Sequence, residues 1–397
     1  MNLCDAQTDE RGCPVCGAAS RPLLSLPAQP IYQHPVPVDA IVPKPHVVDL
    51  CWVACLDCAH AWQPKFDHAL LETIYRSHYY TPAPDGIAEQ FRNDFIAALT
   101  KFGLLTKRRH VLLEIGASNG DVLAELKRRT GAMYAYAFEP NSENAEVARR
   151  RGLDVRECFF DENSARDRLE SAELIYARHV IEHVFQLDDF FAGLNAVATP
   201  SADLVLETPS LDHHAHRDSF DPFHVEHLHV FSLRSLAALS SVHGWRLIQS
   251  ELTPAGNLIA AFKRIVSIPE IGRSEPPAPI LEGMQQAVER YRRHMLNILA
   301  GRQFVFWGAG SAGIRLASTI GRIPDYWTDG NPNKFGRKFV GLNGQIVSPE
   351  YAFEEAKYRC FGAPVLVITS SFVREILPRV RRMGWADEVY DLTGKSL

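Results

Sequence analysis

The sequence lacks the features that mark membrane, secreted and nucleic-acid-binding proteins. No apolar run among its 397 residues approaches the length of a membrane span. The N-terminal MNLCDAQTDERG has no apolar core of the kind found in a secretory signal. A formal net charge of −5 provides no broad basic field for nucleic acid. We therefore expect a cytoplasmic protein with no membrane partner and no nucleic-acid partner.

Cysteine is nearly absent from most of the chain. Only Cys158 and Cys360 lie beyond residue 58, although the sequence has eight cysteines in total. Hydrophobic residues make up 46% and charged residues 22% of the chain, values typical of a globular protein long enough for two or three domains. Cysteines clustered at one end of a protein in a reducing compartment indicate metal binding rather than disulfides.

The N-terminal cysteines include two Cys-x-x-Cys pairs, Cys13 with Cys16 and Cys55 with Cys58. Each pair is a short turn that directs two thiolates to one point, and two pairs complete the tetrahedral four-sulfur site that Zn²⁺ favours. Four sulfurs leave no open position for a substrate, so we predict a structural zinc ion. Cys51 could replace one ligand but lacks the spacing. Unrelated buried thiols or a redox Cys-x-x-Cys are the alternatives.

The central region alternates strands and helices. HVLLEIGASNGDVLAELKRR, from residue 110, reads as a buried strand, a glycine turn and an amphipathic helix. Gly116 and Gly120 let the backbone approach a ligand closely. The next strand ends in Glu139, and an acid at this place commonly binds a ribose diol. Three further strand candidates follow: LDVRECFF, the start of AELIYARHVIEHVFQLDDFFAGL, and SADLVLETPS. This order predicts a parallel, doubly wound sheet with ligands at the carboxyl ends of its strands.

The glycine turn is neither the G-x-G-x-x-G of dinucleotide binding nor a P-loop. Glu114-x-Gly116-x-x-x-Gly120, followed by Glu139, resembles class I S-adenosylmethionine-dependent methyltransferases. A generic glycine turn in a Rossmann-like sheet is the alternative. The resemblance implies S-adenosylmethionine as cofactor, bound by residues of this turn and of the neighbouring strand ends: Glu114, Gly116, Ala117, Ser118, Asn119, Gly120, Glu139, Pro140, Phe160, Arg178 and His179.

A polar cluster, DPFHVEHLHVFS, interrupts an otherwise apolar segment. His224, Glu226, His227 and His229 lie within six residues of one another. Three interpretations remain open: an acid–base site, a metal site built on His227-x-His229, and a hydrogen-bonded structural cluster. The nearby DHHAH, from residue 212, offers further metal ligands. The H-x-E of zinc deaminases is present, but the P-C-x-x-C that should follow it is missing.

The C-terminal region repeats the strand–turn–helix pattern in QFVFWGAGSAGIRLASTIG, with G-x-G-x-x-G in the expected context. Taken literally, this motif predicts a second nucleotide-binding site, with NAD as one candidate ligand. The alternative is a purely structural glycine turn. Asp329 follows the next strand candidate and is placed to reach a ribose. Arg315 and Lys334 are candidate phosphate partners. The candidate substrate-binding residues are Gly308, Gly310, Ser311, Gly313, Arg315, Asp329 and Lys334.

Over nearly its full length the chain resembles the sugar C-methyltransferases of deoxysugar pathways. Their helix motif VLxHV stands here as VIEHV, residues 180–184, and their YHEHLxYFS as HVEHLHVFS, residues 224–232. The resemblance implies a nucleotide-linked keto sugar as substrate, held with the help of a pseudo-symmetric C-terminal domain. It does not favour NAD. Two tyrosines of the family motif are replaced, by His224 and Val230, which leaves the substrate and the methylated atom open.

The same resemblance implies roles for individual side chains. His227 matches the general base of the family, Glu226 its adjacent carboxylate, and His183 the histidine of the helix motif. Tyr79 or Tyr80 stands where the family supplies an active-site hydroxyl. A histidine suits this role because its pKa lies near neutrality. In a strand, Glu226 would point away from His227, so it orients His227 only if the segment is a loop or bulge.

We predict an α/β protein with a class I methyltransferase Rossmann-like core, a small N-terminal zinc-binding module and a second Rossmann-like domain. The predicted function is C-methylation alpha to the ketone of a nucleotide-linked sugar. O- or N-methylation and a catalytically lapsed nucleotide-binding module are the alternatives, and the oligomeric state is open between monomer and dimer. The predicted segments are a zinc module at 1–65, a helical connector at 66–108, the methyltransferase domain at 109–265, a helical linker at 266–300 and the C-terminal domain at 301–397.

Overall fold

The computed structural model describes residues 12–77, 87–166, 171–216, 221–265, 284–359, 364–370, 372–385 and 388–397. The chain divides into two units. The first comprises Met1–Leu23, Cys51–Arg217 and Glu226–Glu282, and the second Leu24–Leu50, Asp218–Val225 and Gly283–Leu397. Among the described residues, no helix combines the length and apolar character needed to cross a bilayer.

Strands and helices alternate along most of the chain. The strands are β1 Ser20–Pro30, β2 Val47–Cys55, β3 Ala61–Trp62, β4 Val111–Ile115, β5 Tyr134–Phe138, β6 Asp154–Arg156, β7 Ala172–Arg178, β8 Ala198–Pro209, β9 His229–Val230, β10 Trp245–Leu252, β11 Asn257–Arg264, β12 Phe304–Trp307, β13 Tyr326–Thr328, β14 Ile346–Val347, β15 Val365–Ile368 and β16 Val389–Asp391. The helices are α1 His68–Ser77, α2 Ile87–Lys101, α3 Asp121–Thr130, α4 Ser142–Arg150, α5 Glu162–Ala165, α6 Leu187–Val197, α7 Leu211–His216, α8 Leu233–Val242, α9 Met284–Ile298, α10 Ser311–Ile320, α11 Pro349–Arg359 and α12 Val373–Arg382.

A seven-stranded sheet forms the centre of the first unit, in the order β10-β11-β8-β7-β4-β5-β6. Strands β8, β7, β4, β5 and β6 are mutually parallel, and β10 and β11 form an antiparallel edge. The strand β4 reads VLLEI because both faces of the sheet are covered. Val111 and Leu113 pack into one core, and Leu112 packs into the other. The predicted class I methyltransferase α/β fold is confirmed.

A parallel five-stranded sheet, β14-β13-β12-β15-β16, forms the centre of the second unit. Phe304 and Phe306 of β12 face one core, while Val305 and Trp307 face another. The glycine turn predicted from the sequence follows β12 directly and leads into α10. The second unit is therefore also an open α/β layer with a turn at the carboxyl end of a central strand.

A smaller sheet has the order β1-β2-β3-β9. Strand β3 pairs antiparallel with β2, and on its other side with β9, where Ala61 faces Val230 and Trp62 faces His229. The segment that contains His227 is thereby attached to the strand that follows the second cysteine pair.

The turn after β4 packs closely against the turn after the neighbouring strand β7 at the carboxyl edge of the sheet. Gly116 has φ of 70°, and an added Cβ would overlap the Cγ2 methyl of Val180, on the turn after the neighbouring strand β7. Glycine is needed at this position both for the backbone conformation and for the close approach. The two strand ends can therefore meet without an intervening side chain.

Replacement of Gly116 tests this close approach. Gly131→Ala is the matched control, because Gly131 has φ of 66° with no atom within 4 Å of an added Cβ. We expect Gly116→Ala to lower the free energy of unfolding by at least about 1 kcal/mol more than Gly131→Ala, measured by urea denaturation. Adding Val180→Ala should recover part of the excess. Equal losses in the two single variants would contradict the packing argument.

Candidate active site

The turn after β4 is fastened to the end of β5 by a buried carboxylate. Glu139 accepts the backbone N–H of Ser118 at 2.7 Å on one oxygen and that of Asn141 at 2.9 Å on the other. Burial raises the pKa of Glu139, and these two backbone N–H groups oppose the shift. The backbone N–H groups of Gly116 and Ala117 reach the Phe138 carbonyl. The acid predicted to bind a ribose thus lies directly against the glycine turn.

A cavity of about 660 Å³ opens at the carboxyl ends of β4, β5 and β7. Seven of the eleven predicted cofactor-binding residues line it: Gly116, Ser118, Glu139, Pro140, Phe160, Arg178 and His179. The other four do not line this cavity: Glu114, Ala117, Asn119 and Gly120. Tyr75 and His183 stand on the same cavity wall. The cavity therefore joins the glycine turn to part of the predicted catalytic set.

Glu114 lies in the core rather than in the cavity. Burial raises its pKa to about 8, and the Tyr176 hydroxyl donates to its Oε2 at 3.1 Å. Arg178 opposes the shift electrostatically. The Arg178 guanidinium is itself held by fully buried Glu207, which accepts from its Nε at 2.6 Å. Arg178 is therefore fixed at the cavity wall by an ion pair in a low-dielectric setting.

The motif VIEHV forms a tight turn after β7. Its residues Ile181–His183 make one turn of 3₁₀-helix, whereas the sequence motif implied a position on a helix; α6 begins later, at Leu187. His179, just before the turn, has φ of 52°, an uncommon conformation for a residue other than glycine. Such strained residues gather at functional sites. The turn places His183 at the cavity.

His183 is part of a hydrogen-bonded group with a tyrosine that the sequence analysis did not select. Nδ1 of His183 donates to the Glu226 carbonyl at 2.8 Å, and the Tyr75 hydroxyl donates to the same carbonyl at 2.7 Å. The Tyr75 oxygen lies 3.0 Å from Nδ1. The predicted Tyr79 and Tyr80 lie outside the described residues. Tyr75 opens the same segment, YRSHYYTPAP, so the tyrosine-rich pattern would have located it.

His227 lies next to His183. Its side chain is only 8% exposed, and the two imidazole rings are edge to face with centroids 4.8 Å apart. The carbonyl of His227 accepts Nε2 of Gln63 at 2.6 Å. Residues 221–228 form turns rather than a strand, so the alternation that would separate Glu226 from His227 does not apply. His224, in the same loop, is half-buried.

His229 has a structural environment. Its Nε2 contacts the Val184 carbonyl at 3.1 Å and its Nδ1 contacts Nε2 of His60 at 3.1 Å. Burial lowers the pKa of His229 to about 4, so the ring is neutral at physiological pH. Both nitrogens are already engaged, which argues against a metal site chelated by His227 and His229. Among the described residues, the DHHAH segment, which forms part of α7, joins no group of three or more possible metal ligands.

The four predicted cysteine ligands converge. The sulfur atoms of Cys13 and Cys58 are 3.6 Å apart, and those of Cys16 and Cys55 are 3.4 Å apart. Four sulfurs about 2.3 Å from one zinc ion lie at nearly these separations. Hydrogen bonding with Cys13 raises the pKa of Cys58, a crowding that a divalent cation relieves. Cys51 is partly exposed on β2 and does not join the group. The donor set fits zinc.

The glycine turn of the second unit resembles the first in its use of an acid. Asp329 accepts the backbone N–H of Ala309 at 2.9 Å and the Lys334 ammonium at 2.8 Å. The Lys334 ammonium also donates to the Ala309 carbonyl at 3.0 Å. Arg315 donates to Gln33 at 3.2 Å and pairs with Asp221. Asp329, Lys334 and Arg315 are thus all engaged within the unit. Gly308, Gly310, Ser311 and Gly313 lie at the turn and the start of α10, as predicted.

Comparison with known proteins places these features in a class. Residues 87–250 match the family described as "Methyltransferase domain". The C-methyltransferase NovU of Streptomyces niveus is 27% identical over 324 residues, which cover 74% of this chain and 76% of NovU. The chain is therefore a methyltransferase, and the enzyme class predicted from the sequence, S-adenosylmethionine-dependent methyltransferase, is confirmed.

Two solved structures are also similar. The match to a SAM-dependent methyltransferase from Aquifex aeolicus covers 51% of this chain and 100% of that protein, at 19% identity and a TM-score of 0.36. The magnesium protoporphyrin IX methyltransferase ChlM from Synechocystis PCC 6803, with bound SAH, covers 49% of this chain and 98% of its own, at 10% identity and a TM-score of 0.37.

The raised pKa of Glu114 predicts a pH-dependent stability. The folded state holds this proton up to about pH 8, whereas the unfolded chain releases it near pH 4. The contribution to stability is complete below the unfolded pKa and is lost as the pH rises through the folded value. We expect wild type to lose up to about 1.4 kcal/mol per pH unit relative to Glu114→Gln across this window, in ligand-free urea denaturation. Parallel stability curves would contradict the assignment.

Proposed function

We propose that this methyltransferase transfers a methyl group from S-adenosylmethionine to a carbon alpha to the ketone of a nucleotide-linked sugar. The observation that carries the proposal is the contact between Tyr75 and His183 on the wall of the cavity that contains the glycine turn, with the His227 ring packed against His183. The similarity to a C-methyltransferase supports transfer to carbon. The sugar is proposed from the sequence motifs that surround His183 and His227.

The residues around the first glycine turn fit the cofactor. Glu139 has two carboxylate oxygens at the end of the second strand of the methyltransferase core, a position suited to a ribose diol. Phe160 offers an aromatic face on the same cavity, and Arg178 a cation for a carboxylate. When bound, S-adenosylmethionine supplies an electrophilic methyl group. The chain fixes its orientation and excludes water from the reacting atoms.

His227 is the proposed general base. It removes the proton from the carbon next to the ketone; the electrons of that C–H bond form an enolate. The enolate carbon then bonds to the methyl carbon as the bond from sulfur to methyl breaks, which leaves S-adenosylhomocysteine. The Tyr75 hydroxyl, which donates to the Glu226 carbonyl in this structure, would turn from that carbonyl to donate to the developing enolate oxygen. Burial lowers the pKa of His183, so its Nδ1–H stays directed at the Glu226 carbonyl and Nε2 is left as an acceptor.

The zinc ion we propose at the four cysteines has a structural function. Zinc would fix the two cysteine turns to each other, and β3 follows the second turn directly. Gln63, at the end of β3, holds the His227 carbonyl. The Ser232 hydroxyl, beyond β9, donates to the Cys58 carbonyl at 3.3 Å. Metal binding is thereby linked to the position of the proposed base.

The second unit is the proposed site for the nucleotide part of the substrate. Its glycine turn leads into α10, and the start of such a helix favours phosphate. Burial, Lys334 and Arg315 lower the pKa of His34 to about 4. The cations that disfavour a proton on His34 equally favour an anion such as a diphosphate.

Methyl transfer to oxygen or nitrogen is the second candidate. The two tyrosines of the related motif are replaced here by His224 and Val230, so two hydroxyls are lost and one imidazole is gained. In this candidate His227 would deprotonate a hydroxyl or an amine. Product analysis by NMR distinguishes a new carbon-bound methyl group from an O- or N-methyl group.

His227→Gln and Tyr75→Phe test the catalytic assignment. Because general-base catalysis contributes about 10² to 10⁴-fold, we expect His227→Gln to lower turnover of a nucleotide-linked keto sugar at least about 100-fold. Tyr75→Phe should lower kcat less. Both variants should bind S-adenosylmethionine as wild type does in calorimetry. His110→Gln, at the opposite end of β4, is the control. Full turnover by His227→Gln, or no binding of the cofactor by wild type, would reject the proposal.

Cys55→Ser and Cys51→Ser test the zinc site. Metal analysis should find about one zinc per chain in wild type and in Cys51→Ser, and little in Cys55→Ser. Turnover should fall in Cys55→Ser, because β3 would no longer fix the His227 segment. Retention of zinc by Cys55→Ser would show that the ion binds elsewhere.

A further inference from the structure

A buried carboxylate that the sequence analysis did not select lies among the active-site histidines. Glu182, in the 3₁₀ turn of VIEHV, is fully buried. Neither of its carboxylate oxygens makes a hydrogen bond by strict geometry within the described part of the chain. Nδ1 of the titratable residue His179 lies 3.3 Å from its Oε1. A carboxylate in this position has lost its water and has few groups to replace it.

Glu182 is close to both histidines of the proposed reaction. One carboxylate oxygen and one ring nitrogen each from His183 and His227 all lie within 4.8 Å of one another. The backbone fixes the arrangement, because the Glu182 carbonyl accepts the N–H of Leu228 at 2.7 Å. The turn that carries Glu182 is thereby tied to the residue directly after His227.

The electrostatics indicate that Glu182 is ionised. Burial alone would raise its pKa, but the contacts with His179 and His183 outweigh burial, so the pKa is lowered overall. In return Glu182 opposes the effect of burial on the pKa of His183 and of His229. One negative charge thus acts on histidines from two separate segments.

We propose that Glu182 is a positioning residue whose carboxylate is the counter-charge for the imidazolium formed when His227 takes the substrate proton. This inference rests on the proposed function, in which His227 is the base. The sequence resemblance assigns the supporting carboxylate to Glu226. In the structure, the Glu226 backbone carbonyl accepts hydrogen bonds from Tyr75 and His183, and Glu182 contributes a carboxylate oxygen within 4.8 Å of a ring nitrogen of each imidazole.

The neighbouring titratable groups determine how strongly Glu182 acts. Glu207 lies 3.8 Å from Nε2 of His179 and is paired with Arg178. The opposite charges of Glu207 and Arg178 largely cancel, so Glu182 has the greater electrostatic effect on the histidines. Among the described residues, the groups that face this region come from five places: Tyr75 on α1, Arg178 and His179 at the end of β7, Glu207 on β8, His60 beside β3, and Glu226 and His229 around the His227 loop.

The same three side chains also form a donor set suited to a divalent cation, one carboxylate and two imidazoles. A metal ion bound there would engage His227 and remove it from acid–base chemistry. A counter-charge role for Glu182 and a metal site predict different metal contents and different titrations of His227. The test therefore distinguishes them.

The test is an NMR titration of protein carrying isotope-labelled histidine, with the His227 signal assigned from His227→Gln. It needs no substrate, so its outcome is independent of whether the sugar or the reaction is correctly identified. The variants are Glu182→Gln and Asp203→Asn. Asp203 is a buried acid in the middle of β8, paired with Arg109 and Lys263, and is the control for loss of a buried carboxylate.

We expect Glu182→Gln to lower the pKa of His227 by about one unit or more, because a negative charge within 4.8 Å favours the imidazolium. Asp203→Asn should leave it unchanged. In the turnover assay, the acidic limb of the kcat/KM profile should move to lower pH in Glu182→Gln, and kcat should fall about 10-fold or more with S-adenosylmethionine binding intact. Unchanged titration of His227 in a folded Glu182→Gln protein would overturn the inference. A second metal ion per chain with a non-titrating His227 would also overturn it.

Discussion

The pairing of two short strands, β3 with β9, is the interaction on which the active site depends. It joins the cysteine turns to the loop that carries the proposed base. Ala61 and Trp62 face Val230 and His229, Gln63 holds the His227 carbonyl, and His60 contacts His229. Two paired residues on each strand would be marginal on their own. Buried hydrogen bonds and a zinc ion at the cysteines would provide the missing rigidity.

Different partners give two buried acids of the first unit different protonation states. Glu114 has a pKa raised to about 8, and its nearest partner is a tyrosine hydroxyl. Glu182 is just as buried, yet two histidines keep its pKa low. Carboxyl groups whose surroundings push their pKa values apart commonly have separate tasks in a catalytic site. Here one would stay neutral in the core, and the other would carry the charge that opposes an imidazolium.

Local pattern was sufficient to predict the fold and the glycine turn after β4. Strand, glycine turn and helix are encoded within about twenty residues, and Glu139 follows one unit later. The pairs of cysteines were equally visible, because their spacing carries the geometry. Contacts between distant segments were not visible. The resemblance pointed to Tyr79 or Tyr80, which lie outside the described residues, and Tyr75 of the same segment contacts His183. His229 was a candidate metal ligand from its spacing alone, but His60 and the Val184 carbonyl contact its two ring nitrogens. The roles of Gln63 and Glu182 depend on tertiary contacts. Nothing in the local sequence distinguishes either residue from its neighbours.

Proton removal from carbon by His227 is the central claim, and hydrogen exchange measures it most directly. The protein would be incubated in deuterium oxide with S-adenosylhomocysteine and a nucleotide-linked keto sugar, so that methyl transfer cannot follow. NMR of the sugar should show deuterium replacing the hydrogen next to the ketone with wild-type protein and far more slowly with His227→Gln. If wild type methylates the sugar in the complete reaction but never exchanges this hydrogen, the methyl group goes to another atom and the account of His227 is wrong.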